Sequence, residues 1–417
     1  MSHRPIHSDD AEAGTPSAAP AAIDRKAIRR VKRHHDFSTL LIAVAGVPAV
    51  ILTVLFLSIL PFNPQIVARR DFIVYWATAQ QLVHHGNPYD ASAINEIEKN
   101  AGFQGGASYY MRNTPWTLPL ALPLSCAGPS ATALPWSLAM LGLLVISVRS
   151  VRTAIGCSAS WLDWFGYCFP PALDCVILGQ TSILPLLGFA LFIRLHRSRP
   201  FAAGAALWLC SIKPHLLLPF AVVLLVWIAV TRSVRILAGA ATAFAAGALV
   251  TTWIDPSAWS QYIHYMRTSV ITREFTPCLG NLLRDSIRPS AEWLAFVPAV
   301  VGSVWALVWF WRRRHAWRWD EQGALLVLVS LLAAPFGWIF DHTLAIPAIL
   351  FAVSRSRSQA VPAVLALLYL LVEIQLVSPL GLHSAVYLWI APAWLAWYLY
   401  ARTAGNTRRF AEPVLET

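Results

Sequence analysis

Ser38–Leu60 reads STLLIAVAGVPAVILTVLFLSIL, an apolar run without a single charged residue. The hydrocarbon core of a bilayer is about 30 Å thick and needs about 20 apolar residues at 1.5 Å each, so this stretch is long enough to cross it as one helix. Just ahead of it stand Arg25, Lys26, Arg29, Arg30, Lys32 and Arg33. Basic residues flanking a span mark its cytoplasmic end, where they meet anionic lipid. No stacking aromatics interleave them, so the net charge of +11 does not point to nucleic acid. The run is too long for the core of a signal peptide and lacks a small-residue cleavage site, so it is expected to be retained.

Runs of about 18–22 residues of the same character recur along the chain. Of its 417 residues, 57% are hydrophobic and only 13% charged, against about 25% charged in soluble domains. That balance excludes a soluble globular protein, a disordered chain and a disulfide scaffold. The six cysteines form no CxxC pair and mostly lie in or beside apolar runs, so neither a metal site nor a cofactor is expected. The expected fold is all-α: a polytopic membrane protein of about 12 transmembrane helices. The spans fall near 38–60, 129–148, 161–178, 181–195, 200–213, 214–231, 236–253, 291–311, 322–339, 342–354, 359–378 and 384–401, with Lys213-Pro214 able to break one longer helix. Residues 1–37 are expected as a disordered basic tail, 38–401 as the membrane domain and 402–417 as a second cytoplasmic tail.

Placing the amino terminus inside and alternating sides puts short arginine-rich loops in the cytoplasm: Arg149 and Arg152, Arg194 to Arg199, Arg232 and Arg235, Arg312 to Arg318, Arg355 and Arg357. This is the pattern of the positive-inside rule and makes a multi-pass inner-membrane protein with both termini inside. Two segments are too long to be simple connectors, 61–128 and 254–290, and both then lie outside. In the first, Phe72, Tyr75, Trp76, Ala79 and Leu82 recur at helical spacing, which predicts a helix lying in the membrane interface.

Charges at the membrane edge cost about 2.5–3.5 kcal/mol each on insertion scales, so each asks for a reason. The candidates are Asp71, Arg112, Gln180, Lys213, Arg284, Asp285, Asp341 and His342, all at outer span ends or in outer loops. Asp71 is placed either to take a proton from a hydroxyl or to cap the helix that follows it. Asp90, after Asn87-Pro88-Tyr89, reads as turn chemistry. Lys213 is suited to a lipid phosphate or to snorkelling towards the headgroups. Arg284 and Arg288 suit phosphate recognition or ordinary solvation. Gln180 reads as a donor to a sugar or a helix-start cap, and Asp341-His342 as a pair that polarises a hydroxyl or a structural turn. No DxD, P-loop or GxGxxG sequence occurs, and the inner loops are too short to build a nucleotide-sugar site, which favours a donor already in the membrane.

The ordered set Asp71-Phe72…Tyr75, Gly86-Asn87-Pro88-Tyr89, Gly179-Gln180, Ile212-Lys213-Pro214 and Pro335…Trp338…Asp341-His342 resembles glycosyltransferase family 87, integral-membrane mannosyltransferase-like enzymes of the GT-C superfamily. The resemblance implies a GT-C fold with interfacial helices in the first outer loop. It also implies a polyprenyl-phosphate sugar donor, commonly mannose, and inversion at the anomeric carbon. The family's catalytic acid carries over onto Asp71 and its late histidine onto His342; Lys213 and Gln180 fall on motif positions. The chain departs from the family at Tyr109–Pro115 and at Thr181-Ser182. The expectation is transfer from a polyprenyl-phosphate sugar to a lipid or glycan acceptor at the outer face. Arg112, Gln180, Lys213, Arg284 and Asp341 bind substrate, and Lys213 and Arg284 steady the leaving phosphate. The competing classes are a transporter or flippase, which favours midplane charges and repeated halves, and a non-catalytic envelope assembly partner.

Overall fold

The computed structural model describes residues 25–104, 110–157, 161–268, 274–356, 358–378 and 384–406. Tyr109, Arg357 and the tail segments 1–24 and 407–417 lie outside the described residues. Every regular element among those described is helical.

Helix α1 (Arg25–Ile59) leads into the first long loop, which folds as α2 (Pro64–Ala68), α3 (Phe72–Val83) and α4 (Ala91–Asn100). After α5 (Pro129–Ala154) come shorter pieces: α6 (Trp164–Tyr167), α7 (Pro170–Leu178), α8 (Ile183–Leu195) and α9 (Pro200–Cys210). Helices α10 (Leu218–Thr231) and α11 (Val234–Ile254) precede the second long loop, with α12 (Ala258–Thr268) and α13 (Leu279–Ile287). The chain continues through α14 (Val297–Arg313), α15 (Trp319–Ala333), α16 (Ile346–Arg355), α17 (Ala360–Val377) and α18 (Ile390–Asn406).

The structure adds detail to the sequence expectation in three places. Helix α1 starts at Arg25, so its backbone runs from the basic cluster into the apolar run. Among the described residues, 6 helices are long and apolar enough to cross a membrane: Ala43–Phe62, Pro129–Ala154, Pro214–Thr231, Val234–Ile254, Glu292–Ala316 and Ala360–Val377. The other expected runs are helical but cut short. Gly179-Gln180, Arg199-Pro200 and the turn after Ala333 break them, and a helix such as α8, of 13 residues, rises only about 20 Å. These short helices pack inside the bundle: Leu186, Phe189 and Phe192 of α8 and Ile346 and Ile349 of α16 are buried. Finally, α3 is largely covered by protein. Phe72, Ile73, Tyr75, Ala77, Ala79 and Leu82 are all buried, and the half-exposed Trp76 donates through its indole to the Ala127 carbonyl (2.9 Å).

Close helix packing comes from small residues. A Cβ on Gly204 of α9 would stand 1.9 Å from the Ile236 carbonyl of α11, and one on Gly239 would stand 1.9 Å from the Phe201 carbonyl. Only glycine at both positions lets the two backbones meet this closely, the device by which helices associate where no water drives them together.

Candidate active site

Arg70 sets the position of the site. Its guanidinium is buried and donates to Ser137 Oγ (2.6 Å) and to the Val176 and Ile177 carbonyls at the end of α7. A cation there satisfies orphan carbonyls and meets the negative end of the helix dipole. The same turn ends in Gly179, at φ 72, with Gln180 N–H returning to the Cys175 carbonyl (2.9 Å) and Gly179 N–H to Val176 (3.3 Å), a Schellman termination. A Cβ on Gly179 would lie 2.7 Å from the Phe72 Cβ, so both the conformation and the close approach of α3 demand glycine. Asp71, one residue after Arg70, is thereby set beside Gln180, one residue after Gly179.

The Asp71 side chain makes no cap bond although it occupies the N-cap position of α3. Its Oδ2 accepts from Gln180 Nε2 at 2.7 Å, while Oδ1 accepts from no described residue. By contrast, Asp90 does cap: its Oδ1 accepts from Ser92 N (2.8 Å) and Ala93 N (3.2 Å), the turn role expected of it. Gln180 Oε1 in turn accepts from the Tyr75 hydroxyl (3.0 Å) and from Lys213 Nζ (3.2 Å). Lys213, buried at the start of the turn into α10, also donates to Ser182 Oγ (2.9 Å) and pairs with Asp341 Oδ1 (2.7 Å). Asp341 lies in the turn between α15 and α16, where its other oxygen accepts from Trp338 N (2.9 Å) and Ser182 Oγ donates to Oδ1 (2.6 Å). Four of the expected residues, Asp71, Gln180, Lys213 and Asp341, are thus linked in one chain of hydrogen bonds across four turns of the bundle.

Burial pushes the Asp71 carboxyl above the ordinary carboxylate range, against the hydrogen bond from Gln180 and the positive charges of Lys213 and Arg112. Arg112 lies over the Trp338 ring (5.3 Å) and pairs through Nη2 with Glu274 of the second long loop (2.8 Å). Its Nη1 is buried with no hydrogen-bond partner. His342 and Asp341 form part of the wall of a cavity of about 120 Å³, otherwise lined by Leu216, Leu282, Leu331, Trp338, Leu388 and Ala391 among others. His342 Nδ1 is buried without a partner, as is Nε2 of His215, whose ring lies 4.3 Å from that of Phe336. No group of three or more metal-ligating side chains occurs among the described residues.

Lys213 and Arg284 are each paired with a carboxylate. All three ammonium protons of Lys213 are used within the protein, and Asp341 cancels its charge. Arg284 is buried in α13 with Nε on Asp285 (2.7 Å). Arg70, Tyr75, Ser182, His215, Glu274 and Trp338 join the site without having been picked out as site residues. Tyr75 and Trp338 stand in the motifs quoted above and His215 directly follows Ile212-Lys213-Pro214, whereas for Arg70 and Glu274 nothing local distinguished them.

A model of glycosyltransferase family 87 matches residues 112–347, more than half of the chain. The chain belongs to glycosyltransferase family 87. The matched part of this family 87 protein contains Arg112, Gln180, Lys213, Arg284, Asp341 and His342; Asp71 precedes it. A glycosyltransferase-like role in a multi-span helical membrane fold follows from that membership. No curated protein and no solved structure matches the chain.

Proposed function

We propose that this chain transfers a hexose, mannose by the family resemblance, from a polyprenyl-phosphate donor to a hydroxyl of a lipid or glycan acceptor. The reaction takes place at the outer face of the inner membrane with inversion at the anomeric carbon. The observation that carries the reading is the Asp71 carboxylate: it declines the cap bonds its position offers, has one oxygen fixed by Gln180 and leaves the other open. The acceptor oxygen attacks the anomeric carbon, its proton passes to Asp71 Oδ1, and the bond to the phosphate oxygen breaks with the electron pair leaving on polyprenyl phosphate. General-base help of this kind gives about 10²–10⁴-fold, and fixed geometry supplies about 7–11 kcal/mol more.

The leaving phosphate needs a cation, and Arg112 fits better than Lys213 or Arg284. Its buried Nη1 has a proton to give, whereas Lys213 has none left. A guanidinium donating in a low-dielectric site stabilises the charge that develops on the leaving oxygen. His342 offers its unpartnered Nδ1 for a hydroxyl or phosphate oxygen at the wall of the apolar cavity, whose leucine-rich lining suits an isoprenoid chain.

The test is purified protein in proteoliposomes with polyprenyl-phosphate mannose and a panel of lipid and glycan acceptors. The expected result is a new glycoside of inverted configuration together with free polyprenyl phosphate. Movement of the donor across the bilayer with no glycosidic product would instead establish a flippase.

A further inference from the structure

We propose that Lys213 and Gln180 act as a positioning relay that fixes which oxygen of Asp71 receives the acceptor proton, and that neither binds the donor phosphate. This rests on the reading of Asp71 as the base. Gln180 has one amide orientation open to it. Its Oε1 faces three donors, the Tyr75 hydroxyl at 3.0 Å, Lys213 Nζ at 3.2 Å and Thr181 N–H at 3.3 Å, and its Nε2 faces Asp71 Oδ2 at 2.7 Å. Turning the amide over would set an NH₂ against three donors and an oxygen against a carboxylate. Lys213 enforces that orientation because it is itself fixed, with Nζ donating to Ser182 Oγ (2.9 Å) and Asp341 Oδ1 (2.7 Å) as well. An ammonium group has three protons, and Gln180, Ser182 and Asp341 take all three. The ion pair adds no net charge with which to attract a phosphate, yet it holds the glutamine that occupies Oδ2. The acceptor is left Oδ1 alone.

The groups facing Asp71 are Arg70 and Tyr75 on its own segment, Arg112, Asp174 of α7, Lys213 and Asp341. Gln180→Leu removes one neutral side chain, keeps the Lys213–Asp341 pair and leaves Tyr75 its contact with Thr181 Oγ1 (3.2 Å). It is expected to lower kcat by roughly 10–100-fold and to leave the donor KM within about twofold. It also moves the acid limb of the pH–rate profile up by about one pH unit, the effect of one lost charge-assisted hydrogen bond. Lys213→Met combined with Asp341→Leu removes both charges together, which avoids stranding a buried ion. That pair is expected to move kcat and the limb in the same direction, with no further loss when added to Gln180→Leu. A donor KM raised about tenfold with kcat unchanged in the Lys213→Met/Asp341→Leu protein would make Lys213 a phosphate ligand and overturn the relay.

A second measurement does not depend on turnover. Carbodiimide modification of Asp71, followed by mass spectrometry against pH, should show a higher midpoint in Gln180→Leu than in the unaltered full chain. An unchanged midpoint overturns the relay. Absence of transfer by the unaltered protein, with the midpoint shifted, overturns the glycosyltransferase reading while the coupling stands.

Discussion

At the scale of single residues, the site is defined by polar side chains that sequence could nominate but not pair. A raised Asp71 carboxyl must lose its proton before it can accept one from the acceptor. Activity therefore falls as pH drops through that raised value, and the acid limb lies above the ordinary carboxylate range. A pH–rate profile of kcat/KM with its limb near the free-carboxylate value would count against Asp71 as the base. Arg112→Gln is expected to raise the donor KM and lower kcat together by about 10–100-fold, because the lost group stabilises charge on the leaving phosphate. Arg284→Gln is expected to leave both nearly unchanged in the protein that folds, which steady-state kinetics in varied donor would check. Asp71, Gln180, Lys213 and Asp341 were legible because each is a polar side chain interrupting an apolar chain, where it needs a partner. Their partnership was not legible: Lys213 has no acidic neighbour in sequence, and its counter-ion lies 128 residues away.

At the scale of elements, the end of α7 is the piece that brings Asp71 and Gln180 together. Gly179→Ala forces a side chain into a left-handed conformation at φ 72 and against Phe72. It is expected to destabilise by about 1–3 kcal/mol and to lower activity beyond that, because Gln180 shifts with the turn. Thermal melting in detergent, alongside transfer by the still-folded fraction, separates the two effects; wild-type melting and activity would contradict the assignment. The existence of most helices could be read from apolar runs, and so could their breaks at Gly179 and Pro214. What covers a helix could not. The periodicity of Phe72, Tyr75, Trp76, Ala79 and Leu82 is the same whether lipid headgroups or other helices face it, and here other helices do. Likewise a run of apolar residues does not announce that it is a short internal helix such as α8 in place of a full span.

At the scale of the whole molecule, the turns at the ends of α7, α9 and α15 meet the first long loop, and Asp341 belongs both to their hydrogen-bond chain and to the wall of the apolar cavity. Ala391→Trp at the cavity wall is expected to raise KM for a long-chain polyprenyl donor by about tenfold and for a short-chain analogue much less. Equal effects on both would show that the cavity does not take the chain. Single cysteines placed in the two long loops, labelled by a membrane-impermeant reagent in intact cells, should react from the outside; protection of either would place the site on the wrong face. The fold class was legible from composition and run length, and the family from motif order, whereas the number of full spans depends on packing that no single run records. The most direct measurement is transfer from polyprenyl-phosphate mannose by purified Asp71→Asn beside the unaltered protein, both shown to be folded by melting. Loss of at least about 100-fold in kcat with the donor still bound is the expected result; near-normal transfer by Asp71→Asn would contradict the central claim that this carboxylate is the base.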